Sequence, residues 1–299
     1  GGGQSLTLVD VDGDKKLEVL LADSDHFELF NGANGTRIGF SETTTSVWNQ
    51  AHACRPFDID GEKGEELVCV LNSSDQPADK QRRVTVLKYF TGVQMFHVLW
   101  SNVIAPDAGG DVRFVDPVVD LDGDGKAEVI VSGYTPGTGW STHVMDAMTG
   151  ADLVTPLVGH TVSGTAEMTT KGRRVLLTNT GGTSTVAHGF TRTPTPTLTQ
   201  LWVIPDHVTV TRAVRDRFAT QTTLGDVVAP DLDHDGLADL ITVDGQGAPI
   251  MTAYSAAAGA PKVLTTRTLP PGVNVQRFFD LPAETGSPVA LARTDGYLE

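Results

Sequence analysis

Acidic residues fall at one fixed spacing in four short stretches of this 299-residue chain. In the most regular of them Asp120, Asp122, Asp124 and Glu128 stand at positions 1, 3, 5 and 9, with Gly123 and Gly125 between. Asp10, Asp12, Asp14 and Glu18 repeat the pattern, as do Asp58, Asp60, Glu62 and Glu66, and Asp231, Asp233, Asp235 and Asp239. Glycine at positions 4 and 6 lets the backbone turn sharply, so alternate acids aim their oxygens into one small volume. Carboxylates that close repel one another unless a hard cation lies among them, and such an oxygen-rich donor set suits calcium. An EF-hand loop would need an acid at position 12 and an exiting helix. Position 12 of the third stretch is Val131, inside the strand-like run Val129-Ile130-Val131, and that motif is excluded. Acidic surface turns explain one such stretch, but not four with the same spacing.

The elements that must present these loops are strands. Apolar, β-branched runs follow each loop: Val19-Leu20-Leu21, Leu67-Val68, Val129-Ile130-Val131 and Leu240-Ile241. The first repeat reads as strands at Leu6–Val9, Leu17–Leu21, His26–Phe30 and Thr36–Phe40. The second reads as Ala51–Phe57, Leu67–Leu71, Arg83–Tyr89 and Gln94–Trp100, with a polar projection over 75–82. The third reads as Val112–Val119, Val129–Ser132, Ser141–Met145 and Asp152–Val154. Aligning Arg174-Val175-Leu176-Leu177 with Ala127-Glu128-Val129-Ile130 reveals a fourth repeat whose loop, Glu167 to Gly172, has lost its acids and carries Lys171 at position 5. A sixth begins near Val273, with Asp280 as its one remaining acid, and stops at Glu299. The loop starts at 10, 58, 120, 167, 231 and 280 alternate between short and long intervals, as a duplicated pair would. The expected fold is all-β: one β-propeller domain over 1–299, of four-stranded antiparallel blades. About six blades are visible and a larger ring is compatible. The repeats fall near 1–46, 47–108, 109–158, 159–218, 219–270 and 271–299.

The net charge of −15 has a local origin. Sixteen of the 37 acids belong to the four loops, leaving 21 against 22 Lys and Arg. No basic stripe exists to neutralise phosphates, which excludes nucleic acid as a partner. No apolar run reaches the roughly 20 residues of a membrane span. The chain opens Gly1-Gly2-Gly3 without a leader and is expected to be a processed or excised fragment. Cys54 and Cys69 flank the second loop on its two strands, so a cross-strand disulfide or a pair of buried thiols would both fit. Asn34-Gly35-Thr36 and Asn72-Ser73-Ser74 match glycosylation sequons and read first as polar turns. The eight histidines show no HExxH spacing, and neither a GxSxG elbow nor a phosphate-binding loop occurs. No catalytic residue is singled out. Trp48, Trp100, Trp140 and Trp202 read as packing between blades in preference to a sugar platform.

The DxDGDGxxE pattern leading into a Val/Ile/Leu strand resembles the FG-GAP/VCBS repeat, the unit of integrin α-subunit propellers and of many bacterial surface proteins. The resemblance implies calcium at about four sites. Their ligands would be Asp10, Asp12, Asp14 and Glu18; Asp58, Asp60, Glu62 and Glu66; Asp120, Asp122, Asp124 and Glu128; and Asp231, Asp233, Asp235 and Asp239. The position-7 carbonyls of Lys16, Gly64, Lys126 and Leu237 would add one each. It further implies a secreted or cell-surface binding, adhesion or structural module with a protein or glycan ligand. Two other readings share the resemblance: a rhamnogalacturonan-type polysaccharide lyase and the shell segment of a toxin complex. The binding module is preferred to an enzyme.

Overall fold

The computed structural model describes residues 5–22, 27–41, 51–72, 82–106, 110–114, 118–214, 223–227, 229–244, 250–268, 278–280 and 289–291. Their regular structure is entirely strand. In the first blade β1 (Ser5–Val9), β2 (Glu18–Ala22), β3 (Phe27–Phe30) and β4 (Arg37–Ser41) lie side by side in chain order. The second repeats this with β5 (Ala51–Phe57), β6 (Glu66–Asn72), β7 (Arg82–Phe90) and β8 (Met95–Ala105). In the third, two short strands, β9 (Asp111–Arg113) and β10 (Val118–Val119), both pair with β11 (Glu128–Thr135). β12 (Gly139–Asp146) and β13 (Leu157–Val158) follow. The fourth is β14 (His160–Thr170), β15 (Arg173–Thr180), β16 (Ser184–Thr191) and β17 (Thr197–Ile204). The chain is therefore all-β, in antiparallel blades of propeller type.

The described residues gather into two compact units: one from Gly1–Val119, Lys126–Val158 and Arg215–Thr223, the other from Asp120–Gly125, Gly159–Val214 and Leu224–Glu299. Within each, the cores lie between successive blades. Val9, Leu20 and Leu29 of the first blade pack with Cys54, Leu67, Cys69 and Leu87 of the second. Val68, Val84, Val86 and Trp100 of the second pack with Val129, Val131 and Met145 of the third. The alternation of strand side chains explains this: Leu67 and Cys69 face one neighbour and Val68 the other. A strand covered on both faces reads as a continuous apolar run. Accordingly Glu128 to Gly133 of β11 and Val175 to Thr178 of β15 are buried without a break, whereas outer strand β17 is mostly exposed. Trp100 seals one junction, donating its Nε1–H to the Ala147 carbonyl at 2.8 Å. Trp202 lies in the core shared by β15, β16 and residues Val227, Leu240 and Ala256. These two tryptophans are packing residues.

The strand pairing departs from the sequence expectation at three places. Of the strand expected over Val112–Val119, the described residues form two short strands, β9 and β10. The fourth strand of the third blade lies at Leu157–Val158; Asp152, expected to be in it, makes only an isolated bridge to Met145. The third departure is larger. β18 (His207–Thr209), which the spacing put in the fourth repeat, pairs with β21 (Leu240–Asp244) of the fifth, beside β22 (Ile250–Ser255) and β23 (Lys262–Thr268). Between β18 and the fifth loop the chain makes β19 (Thr211–Val214) and β20 (Thr223–Val227). These join β24 (Phe278–Asp280) and β25 (Val289–Leu291) in a sheet ordered β20-β19-β24-β25, with β19 and β24 parallel. Trp48, most of the 75–82 projection, Ser73-Ser74 of the second sequon and the sixth loop after Asp280 lie outside the described residues.

Cys54 and Cys69 are direct cross-strand partners and are disulfide-bonded. Labelling of unfolded, unreduced protein should find no free thiol. Reduction should cost about 3 kcal/mol, from the short loop the bond closes; two reactive thiols per chain is the contrary result. A second expectation comes from His188, 3% exposed in the fourth blade. Its Nε2 lies 3.1 Å from Thr178 Oγ1, which His160 Nδ1 also contacts at 2.8 Å. Burial, and then the neighbouring His160, lower His188 to about 4. The folded state thus keeps this imidazole neutral while the unfolded chain accepts a proton below about 6.5. Its contribution is full above that pH and is lost as pH falls toward 4, up to about 3 kcal/mol. Thermal melts from pH 7 to 4.5 should fall less steeply for His188→Gln than for the native protein.

Candidate metal loops

The first three acidic loops lead from the first edge strand of their blade into the second strand; the fifth follows β20, a strand of another sheet, and leads into β21. In all of them backbone N–H groups hold the carboxylates. The position-9 acid reaches back to position 2: Val11 N–H donates to Glu18 Oε2 at 3.2 Å, Ile59 to Glu66 Oε2 at 2.9 Å and Leu232 to Asp239 Oδ2 at 2.6 Å. The position-6 N–H donates to the position-1 carboxylate: Lys15 to Asp10 at 2.9 Å, Gly125 to Asp120 at 2.8 Å and Gly236 to Asp231 at 3.0 Å. Left-handed backbone at position 4 explains the glycines there, Gly13, Gly61 and Gly123. His234 takes that conformation in the fifth loop with φ +62° and is exposed.

The carboxylates converge, but not all four in each loop. Ligand oxygens of Asp10, Asp12 and Glu18 lie within 4.8 Å of one another, as do those of Asp58, Asp60 and Glu66, of Asp120, Asp122 and Asp124, and of Asp231, Asp233 and Asp239. Asp14 turns to the rim, pairing with the exposed Lys16 ammonium at 2.9 Å, which lowers its pKa. Asp235 likewise stays outside its group and accepts the Leu237 N–H at 2.8 Å. Glu128, outside the third group, is fully buried at the head of β11. Of the position-7 residues, Lys16 and Lys126 are exposed, Leu237 is half-buried, and Gly64 backs against the first loop. Burial pushes Glu18 and Asp239 above the usual carboxylate range, against the backbone N–H groups they accept, and neighbouring aspartates add to the rise. Among the described residues no ammonium or guanidinium pairs with the grouped acids of the first and fifth loops. That unneutralised, all-oxygen donor set fits a hard divalent cation.

Two cations that the spacing did not reveal enter the other loops. Lys88 of β7 reaches the second: its Nζ contacts Asp60 Oδ2, Glu62 Oε2 at 3.0 Å and Glu66 Oε1 at 3.1 Å. Burial would lower the ammonium's pKa, but its bonds to the acids hold it well above the ordinary lysine range. Asp60 is pushed up by burial and ends lower because Lys88 donates to it. In the third loop the Arg192 N–H donates to Asp122 Oδ2 at 2.6 Å and its Nε lies 3.6 Å from Asp124. Arg192 is far off in sequence, just past β16, and carries no local signal. The place of Lys88 opposite Glu66 follows from the pairing of β6 with β7.

Neighbouring loops are tied by a recurring bond from position 8 of one to position 1 or 2 of the loop before. Glu65 N–H donates to the Asp10 carbonyl at 2.8 Å, Arg174 to Leu121 at 2.8 Å and Ala238 to Glu167 at 2.7 Å. The acid-poor fourth loop takes part on both sides. Its Gly172 N–H also donates to Glu167 Oε2 at 3.1 Å, the position-6 to position-1 bond of the others. Lys171 leans away, within 3.1 Å of the place a Cβ on Gly236 would take.

No family model matches the chain, and no curated protein matches it. Solved structures do. A chain of the mitotic checkpoint complex is similar with TM-score 0.52 and 10% identity, over 99% of this chain and 75% of that one. The exotype rhamnogalacturonan lyase YesX gives 0.45 and 17%, over 99% and 68%. BBS1N in complex with ARL6DN gives 0.39 and 10%, over 100% and 90%. At such identity the first similarity establishes the fold alone, and it is β-propeller-like.

The loop packing sets a graded test. A Cβ on Gly123 (φ +76°) would meet the Gly172 carbonyl oxygen at 2.4 Å, whereas one on Gly125 (φ +83°) meets nothing within 4 Å. Alanine at either incurs roughly 1–2 kcal/mol of left-handed strain. Gly123→Ala should cost about 1–3 kcal/mol more from the clash, read by urea unfolding. Equal losses would show that the third and fourth loops do not touch there.

Proposed function

We propose that this chain is a calcium-stiffened β-propeller binding module of FG-GAP/VCBS type, working at the cell surface or in secretion on a protein or glycan ligand. One observation carries the reading. The first and fifth loops each hold three carboxylates within 4.8 Å of one another. Backbone N–H groups fix them, and no described cation pairs with them. Asp10, Asp12 and Glu18 would hold one ion and Asp231, Asp233 and Asp239 another. The third loop offers Asp120, Asp122 and Asp124 beside Arg192. A bound cation would remove the mutual repulsion of these acids and fix loops through which one blade bonds to the next. The disulfide in the second blade suits an oxidising compartment.

Binding only to the folded state stabilises by RT ln(1 + [L]/Kd), about 2.7 kcal/mol per site at a hundredfold excess over Kd. Chelation should lower the melting temperature clearly, and calcium should restore it. Asp12→Asn should remove one ion, whereas Lys16→Ala, which keeps its carbonyl, should remove none. An unchanged melt after confirmed metal removal defeats the calcium reading. A screen of glycans and pectin fragments with calcium present, read for both binding and cleavage, tests the ligand class; cleavage would replace the binding module with an enzyme.

A further inference from the structure

We infer that Lys88 is the resident cation of the second loop, so that this loop takes no calcium in the native protein. The inference rests on the calcium reading of the remaining loops and departs from the four equivalent sites that the spacing implies. The Lys88 side chain is 14% exposed, and its ammonium reaches three carboxylates at once: Asp60, Glu62 and the fully buried Glu66. It donates hydrogen bonds to Asp60 and to Glu62. Glu66 Oε1 lies off the hydrogen-bond axis, and the ion pair at 3.1 Å is its contact with charge. An ammonium has donors and no acceptor, so it bonds the acids at positions 3 and 5 while its charge faces the one at position 9. A calcium ion would need the oxygens that now face Nζ and would sit against a like charge.

The strand register explains why this happens in one blade. Leu67 pairs with Leu87 across β6 and β7, which sets Lys88 opposite Glu66, the position-9 acid. The corresponding places are Asn31 in the first blade, from Val19↔Phe30, and Ser255 in the fifth, from Leu240↔Tyr254. In the third it is Asp146, paired with Glu128. None of these side chains carries positive charge. The second loop also differs in its own backbone. Its later left-handed residue is Gly64 at position 7 (φ +96°), where the other acidic loops use position 6: Lys15, Gly125 and Gly236. At position 5 it has Glu62 where the others have aspartate, and the longer side chain spans to the ammonium.

Two measurements on the whole chain decide the point. Calcium counting on native protein and on Asp60→Asn should give the same number in both, because that acid serves Lys88. One ion more in the native protein than in Asp60→Asn would overturn the inference. Thermal melts of native and Lys88→Met protein in excess chelator form the second arm. Loss of the ammonium leaves Glu66 buried among unneutralised acids, and the variant should melt several degrees lower. An identical melt would overturn the inference regardless of any metal. If the native protein binds no calcium, the functional reading above fails, while the chelator melts still decide the role of Lys88.

Discussion

Like charges held within a few ångströms of one another must be neutralised or given up, and the second-strand hairpins of this chain are variations on that constraint. In the first and fifth blades three acids converge and stay unpaired among the described residues. In the second an ammonium from the facing strand enters the group. In the fourth the acids at positions 3, 5 and 9 have become Thr169, Lys171 and Val175. The fourth loop still keeps its turn, the Gly172 to Glu167 bond, and its ties to the loops on either side. The acids at positions 3, 5 and 9 are therefore not what shapes the hairpin. Backbone N–H groups shape it, one of them bonded to the position-1 carboxylate, and the other acids add a charge that something else has to balance.

Behind the loops the blades follow from strand geometry. Residues on the second strand face the preceding and following blades in turn, so Leu67 and Val68 lie in different cores. Buried side chains are then needed on both faces, mostly apolar, with hydrogen-bonded Ser132 and Thr178 among them. Outer strands escape this demand, and β23 is mostly exposed along its length. Tryptophans placed at the edge of that gradient, Trp100 and Trp202, close junctions between blades.

Much of this was legible in the sequence, because the acid spacing and the apolar runs are both local. β2, β6, β11 and β21 start within a residue of where the loop pattern ends, and the Glu167 carboxylate accepts the position-6 N–H as the position-1 acids of other loops do. What stayed hidden depends on partners rather than on propensity. A β-prone run does not say which strand it will join, so nothing local places β18 beside β21 or β19 beside β24. Lys88 is hidden for a related reason: its role exists only once β6 and β7 are in register. Arg192 comes from a different blade altogether.

The excursion formed by β19 and β20 orders the assembly of the chain in time. Its partner strands, β24 and β25, follow the whole of the fifth blade in sequence. The last sheet cannot be completed until that blade has been synthesised and a long loop has closed, which is the slow, entropy-limited kind of pairing. Through that interval the side of β19 that later meets β24 is an open strand edge, with backbone N–H and carbonyl groups free to bond to any extended segment. A chain cut after β23 would keep that edge permanently, and strand exchange between molecules would become its route to aggregation.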